Sequence, residues 1–286
     1  MNFRPPTLTE LVESLHVDQV ENDHFTADQL DNVVHHIVGG HIAAQALMAA
    51  SRTTPGRTPH SAHVYYLRAG DARRPVDFHV ERARDGGTLS TRRVTARQDG
   101  EVLLEALTSF STPVDDADHQ VAMPDVPDPE LLLPVQEQLR DYADEFDGHW
   151  VRPQPFDMRY VDAPPRLAVE QPTPSPRMRM WWRATESVPN DPVLQSCLLT
   201  YLSGTTMLET AIAMRGATPV TTFSALIDHA LWFHRPIALD DWVLSDQMSP
   251  SGIHGRGLAT ATMYNRSGEL VCIATQEVYF GGKRTG

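Results

Sequence analysis

The sequence predicts an α+β fold of two tandem antiparallel sheets, each wrapped round a central helix, and three observations lead there. One order of elements, an apolar helix followed by a run of strands, occurs twice in the 286 residues, and such a repeat governs the reading of everything else. Each copy ends in two long alternating segments joined at a turn, Asp99-Gly100 in the first and Ser267-Gly268 in the second; Asp-Gly between alternating apolar runs signals a hairpin. No helix separates successive strands, which excludes a parallel βαβ sheet. A dinucleotide-binding unit goes with it, since "GGHIAA" lacks the G-x-G-x-x-G spacing.

Taken in order, the first copy opens with the helix "GGHIAAQALMAASR" and continues through the strands "HSAHVYYLRAGD" and "PVDFHVERARDG" to the hairpin "TLSTRRVTARQDGEVLLEALTSF". The second opens with one long helix, "PVLQSCLLTYLSGTTMLETAIAMRG", ended by Gly216. It continues through "SALIDHALWFHRPI" and "DWVLSDQMSPSG" to the hairpin "GLATATMYNRSGELVCIATQEVYF". A long apolar helix needs a sheet to bury it, so residues 39–110 and 192–280 are expected to be two copies of one helix-wrapped sheet. Residues 115–176 differ from both flanks. They are rich in Pro and acid, with one short helix expected in "PELLLPVQEQLRDYADEF", and read as a linker. The units are therefore 1–114, 115–176 and 177–286.

Composition narrows the function. A net charge of −13 argues against nucleic acid or an anionic membrane as partner. Lys283 is the only lysine. Cys197 and Cys272 lie in apolar contexts and suit a reducing compartment, and no Cys/His spacing makes a metal site. The N-terminus lacks the apolar core of a secretory signal and no apolar run is long enough to span a membrane. A cytoplasmic protein is the expectation.

Asp228 and His229 invite an acid-base reading. Strict strand alternation sends them to opposite faces, Asp228 with Leu226 and Ala230, His229 with Ile227 and Leu231. The pair therefore reads as structural, with Asp228 the nearer to any site. Gly39 and Gly40 begin a helix whose free N–H groups suit a carbonyl or phosphate, or else allow tight packing. His35, His36 and His41 surround them without a visible partner. Arg92, Arg93, Arg97 and Arg256 suit phosphate groups or solvated strand faces.

Several stretches together resemble the acyl-CoA thioesterase II family, a double hotdog fold: "VGGHIAAQAL", "PHSAHVYYLRAGD", "VERARDGGTLSTRRV", "FDMRY", "WWRATESVPNDP", "IDHALWFHRP", "GRGLATATMY" and "ATQEV". The resemblance covers nearly the whole chain. It implies hydrolysis of fatty acyl-CoA to acid and CoA without metal or organic cofactor. The family's water is held by an Asp, a Thr or Ser, and a Gln. The Gln matches Gln276, the Asp position holds Gly204, and the Thr or Ser position holds Leu226. Two of the three groups are thus replaced, with Asp228 the nearest motif carboxylate to act instead. Ser203, Thr205 and Thr206 flank Gly204 with hydroxyls but no base. Gly39, Gly40, Ser203, Thr205 and Arg256 are the expected substrate contacts. Gln276 is expected to face an internal cavity near Gly204 and Leu226. The expectation is a weak or rearranged thioesterase that gains turnover from Gly204→Asp with Leu226→Thr. The alternative is a non-catalytic acyl-CoA-binding or regulatory protein. A hotdog hydratase is disfavoured by the diverging Asp228 and His229. An exposed sheet edge predicts a homo-oligomer, dimer or tetramer.

Overall fold

The computed structural model describes residues 4–32 and 34–281. Its strands form one antiparallel sheet of twelve. They are β1 (Asp18–Glu21), β2 (His24–Ala27), β3 (Thr58–Tyr66), β4 (Val76–Asp85), β5 (Leu89–Gln98), β6 (Glu101–Ser111), β7 (Phe156–Tyr160), β8 (Arg177–Ala184), β9 (Ser224–Phe233), β10 (Val243–Ile253), β11 (Arg256–Asn265) and β12 (Leu270–Phe280). The helices are α1 (Leu8–Ser14), α2 (Gly39–Ser51), α3 (Val135–Gln138), α4 (Pro165–Ala168), α5 (Pro192–Thr206) and α6 (Leu208–Ala213).

The sheet order is β1-β2-β4-β5-β6-β3-β9-β12-β11-β10-β8-β7. Read from its two ends inward, it gives one topology twice: each strand of β1 to β6 has a counterpart in β7 to β12 at the mirrored place. The halves meet edge to edge, β3 against β9, from Ser61 opposite Trp232 to Tyr65 opposite Asp228. The two expected sheets are therefore one continuous surface, which leaves edges only at β1 and β7.

The central helices α2 and α5 lie on this sheet and are almost wholly buried. Five alanines and two glycines on α2 keep its surface small and allow close approach. At α5, Asp191 caps the first turn by accepting from the Val193 and Leu194 N–H groups, ahead of Pro192. The Asp99-Gly100 turn has positive φ at both residues, 52° and 82°, as a two-residue hairpin requires. The second hairpin is longer: Asn265 to Glu269 form its loop, with Gly268 at φ 87°.

Three departures from expectation have local causes. The long helix of the second half is interrupted at Met207, so Gly216 follows α6. Ser203, Thr205 and Thr206 turn their hydroxyls back on the carbonyls of Leu199, Tyr201 and Leu202, beside Gly204; these back-bonds bend helices and glycine weakens them. In the linker the single expected helix is a series of short turns, Pro129–Leu131, α3, Arg140–Tyr142 and Glu145–Val151. They pack Val135, Leu139 and Trp150 into the core. Its last part is no linker, since Phe156–Tyr160 pairs with β8 as a full strand; the second sheet begins before residue 177.

Candidate active site

The crossing of α2 and α5 brings the predicted positions together. A Cβ on Gly204 would stand 2.6 Å from the Gly40 Cα, and one on Gly40 would stand 2.5 Å from the Tyr201 carbonyl oxygen. Gln276 projects from β12 onto this point. It is fully buried and its Nε2 donates to the Gly204 carbonyl at 3.3 Å. Its cross-strand partner is His229, also fully buried, whose Nε2 lies 3.2 Å from Ser203 Oγ. Because Ser203 Oγ donates to Leu199 O at 2.8 Å, we assign the imidazole proton to Nε2. That leaves Nδ1 a bare acceptor, 3.5 Å from where a Gly204 Cβ would be. His229 Nδ1 and Gln276 Oε1 have no hydrogen-bond partner among the described residues. Burial lowers the His229 pKa to about 3, so the ring is neutral at physiological pH.

Strand β9 carries a bulge that alternation does not anticipate. Asp228 pairs with Glu277, but the next partner of Val278 is Leu226, and Ile227 is skipped. The extra residue puts Leu226 on the face of His229 and separates it from Asp228, reversing the expected pairing of faces. Leu226 packs over Gly39, where a Cβ would meet its Cδ1 at 2.6 Å and Tyr66 Cε1 at 3.2 Å. Tyr66 Oη donates to the Gly39 carbonyl at 3.1 Å. Asp228 Oδ1 accepts from the Glu277 N–H at 3.0 Å, satisfying backbone at the bulge. Among the described residues it makes no hydrogen bond to the helix crossing, though after burial its charge is the next cause that raises the Tyr66 hydroxyl.

Gln276 meets Gly204 but lines none of the cavities found. The cavity nearest this crossing has a volume of about 480 Å³. Its wall includes Val38, which precedes α2, His41 of α2, Tyr201 and Thr205 of α5, Glu209 of α6 and Tyr160 of β7. Tyr160 Oη donates to Glu209 Oε2 at 2.9 Å. Burial raises the Glu209 carboxyl to about 7, against the lowering effect of that bond. Part of Glu209 remains accessible, as befits a residue of the cavity wall. His41 is buried, bonded to Ser14 Oγ at 2.9 Å, and lowered to about 4 by desolvation. A larger cleft of about 850 Å³, lined by Pro134, Asp157, Arg183 and Asp240 among others, includes none of the predicted site residues.

The remaining candidates fall away from this site. Arg256 pairs with Glu277 at 3.3 Å and stands outside the walls of both cavities described above. Arg92 is 1% exposed and held by Thr53, Asp85 and backbone carbonyls. Arg93 meets Glu81, and Arg97 bonds the Gly100 carbonyl. His35 is paired with Asp31 at 2.7 Å, and His36 bridges Asp71 through backbone and accepts from Asn32 Nδ2 at its carbonyl. Glu209 and Tyr160 were missed by sequence reasoning. The one follows the helix break at Met207, and a strand hidden in the linker carries the other. "FDMRY" was the only signal.

A continuous antiparallel sheet around two buried helices, with a polar cluster where they cross, defines a double hotdog protein. A profile of the acyl-CoA thioesterase family matches residues 156–279, and one of the acyl-CoA thioesterase N-terminal domain matches residues 26–111. Acyl-CoA thioesterase 2 of Haemophilus influenzae is 30% identical over 282 residues, covering 94% of this chain and 96% of the relative. Acyl-coenzyme A thioesterase 8 of Rattus norvegicus is 34% identical, covering 84% and 79% respectively. Among solved structures, the tesB protein of Mycobacterium avium subsp. paratuberculosis superposes with a TM-score of 0.82 at 42% identity, covering 96% of this chain and 100% of that one. The chain belongs to the acyl-CoA thioesterase family.

Proposed function

We propose that this chain hydrolyses acyl-CoA thioesters to carboxylic acid and CoA, with the acyl group in the 480 Å³ cavity and the thioester carbonyl at the first turn of α2. The observation that carries this reading is the meeting of Gln276, Gly204 and Gly40 at a helix crossing beside that cavity. Val38 and His41 at the start of α2 share the cavity wall with Tyr201 and Thr205 from α5. A volume of this size suits a small-molecule site. Among the described residues, the Gly39 and Gly40 N–H groups donate to no protein acceptor. With the helix dipole, these N–H groups favour the oxyanion of a tetrahedral intermediate.

The family's water position is altered in this chain. Gly204 offers no carboxylate, and Leu226 fills the space over Gly39 instead of presenting a hydroxyl. This observation supports a second reading, an acyl-CoA-binding protein without turnover. Thiol release from acyl-CoAs of short to long chain, run beside calorimetric binding, separates the two. Release above the uncatalysed rate supports hydrolysis; binding without release supports the second reading. We place the protein in the cytoplasm, as the buried free cysteines suit, and as a homo-oligomer pairing through the edges at β1 or β7. Among the described residues no helix is long and apolar enough to cross a membrane.

A further inference from the structure

The geometry points to Glu209 as the general base of this site, in place of the carboxylate that Gly204 lacks. This inference rests on the hydrolytic reading above. Three placements support it. Glu209 lies in the wall of the cavity that also reaches Val38 and His41 at the start of α2. It is held there by a bond from Tyr160 Oη at 2.9 Å, which fixes one oxygen, Oε2, and leaves Oε1 without a hydrogen-bond partner among the described residues. It also lies on α6, directly after α5 and the break at Met207, in the same chain segment as Gly204.

The other ionisable groups near it are occupied or neutral. Tyr201 is pushed up to about 12 by burial and His41 down to about 4. Burial also lowers His149. Arg152 donates to the Asp147 carbonyl, Asp31 is paired with His35, and Arg166 of the adjoining α4 is held by Glu145 and Glu170. Asp246 of β10 is bound by Arg177, and Glu277 of β12 by Arg256. Glu209 is therefore the carboxyl in this wall without a cation against it. A carboxylate in an apolar wall is a stronger base than one in water, and one that titrates near neutrality meets the demand of general-base catalysis.

In the step, a water O–H gives its proton to the Glu209 carboxylate while the water oxygen bonds to the thioester carbonyl carbon. The tetrahedral oxyanion faces the first turn of α2. On its collapse the C–S bond breaks, and the sulfur takes the proton back from Glu209. Carboxylic acid and CoA thiol leave, with water the only co-reactant.

The test is Glu209→Gln in the full-length protein, assayed by thiol release over pH 5 to 9 with acyl-CoA binding measured in parallel. The expected result is a kcat lowered about 10²-fold or more, with binding unchanged and the acidic limb of the pH profile gone. Glu209→Asp should keep part of the activity. Tyr160→Phe removes a bond that favours the carboxylate, so its acidic limb should move to higher pH. This second variant reads the same base if Glu209→Gln does not fold. Wild-type turnover that survives Glu209→Gln, or an acidic limb unmoved in Tyr160→Phe, overturns the assignment and leaves the hydrolytic reading standing. Binding without turnover by the wild type removes the hydrolytic reading itself.

Discussion

Gly40 and Gly204 face each other where the two central helices cross, with no room for a side chain on either. Gly→Ala within a helix normally stabilises by about 1 kcal/mol. Here Gly204→Ala and Gly40→Ala should destabilise instead, each by about 1–3 kcal/mol, because the added methyl meets backbone that cannot rotate away. Urea unfolding checks this; a gain in stability would mean that the helices part easily. The same crowding changes the expectation for Gly204→Asp with Leu226→Thr. The low helix-propensity cost of Asp is not the controlling quantity, and this double variant should lose stability and gain no turnover.

Arg92 is predicted from sequence to be a CoA-phosphate candidate, but the structure buries it between Thr53 and Asp85. Replacing it with Met should cost about 2–4 kcal/mol, since several buried acceptors lose their donor. KM for acyl-CoA should stay within twofold. A raised KM at unchanged stability would return Arg92 to the substrate.

Asp228 serves the bulge in β9 through the Glu277 N–H. Asp228→Ala should cost about 1 kcal/mol and leave kcat within a few-fold. Abolished turnover with the fold intact would restore the acid-base reading of this residue.

Stability should fall on acidification below about pH 6.5, for a reason that can be traced to named groups. His229 and His41 titrate at about 3 and about 4 when folded, against roughly 6.5 when unfolded. Below pH 6.5 the unfolded chain therefore binds protons that the folded chain refuses, and stability is lost. His60, His79, His149 and His234, all lowered chiefly by burial, act in the same sense. Glu209 opposes them. Its folded pKa is raised to about 7, so its contribution is fully present below the unfolded value and lost as pH rises through 7. Glu209→Gln should thus steepen the rise of stability between pH 4.5 and 7. Urea midpoints at three pH values in that window decide it, and identical slopes for the two proteins would contradict the assignment.

The repeat and the Asp99-Gly100 turn were legible because helix and strand periodicities differ and a two-residue turn demands particular residues. The bulge at Ile227 was not, since one skipped residue leaves the alternation of "SALIDHALWF" looking regular. Gln276 could be placed by its motif, whereas Glu209 owes its position to a helix break and to a strand inside a segment whose proline content reads as linker. Contacts between segments far apart in sequence, such as Tyr160 to Glu209, carry no local signal.

A crystal structure with a non-hydrolysable thioether analogue of an acyl-CoA tests the central claim most directly. The account predicts the acyl chain in the cavity beside Tyr201 and Thr205, the carbon that stands for the carbonyl at the first turn of α2, and a water or the analogue's own polar atom against Glu209. An acyl chain lodged elsewhere, or reaching Gln276 by displacing Leu226 from Gly39, would contradict it.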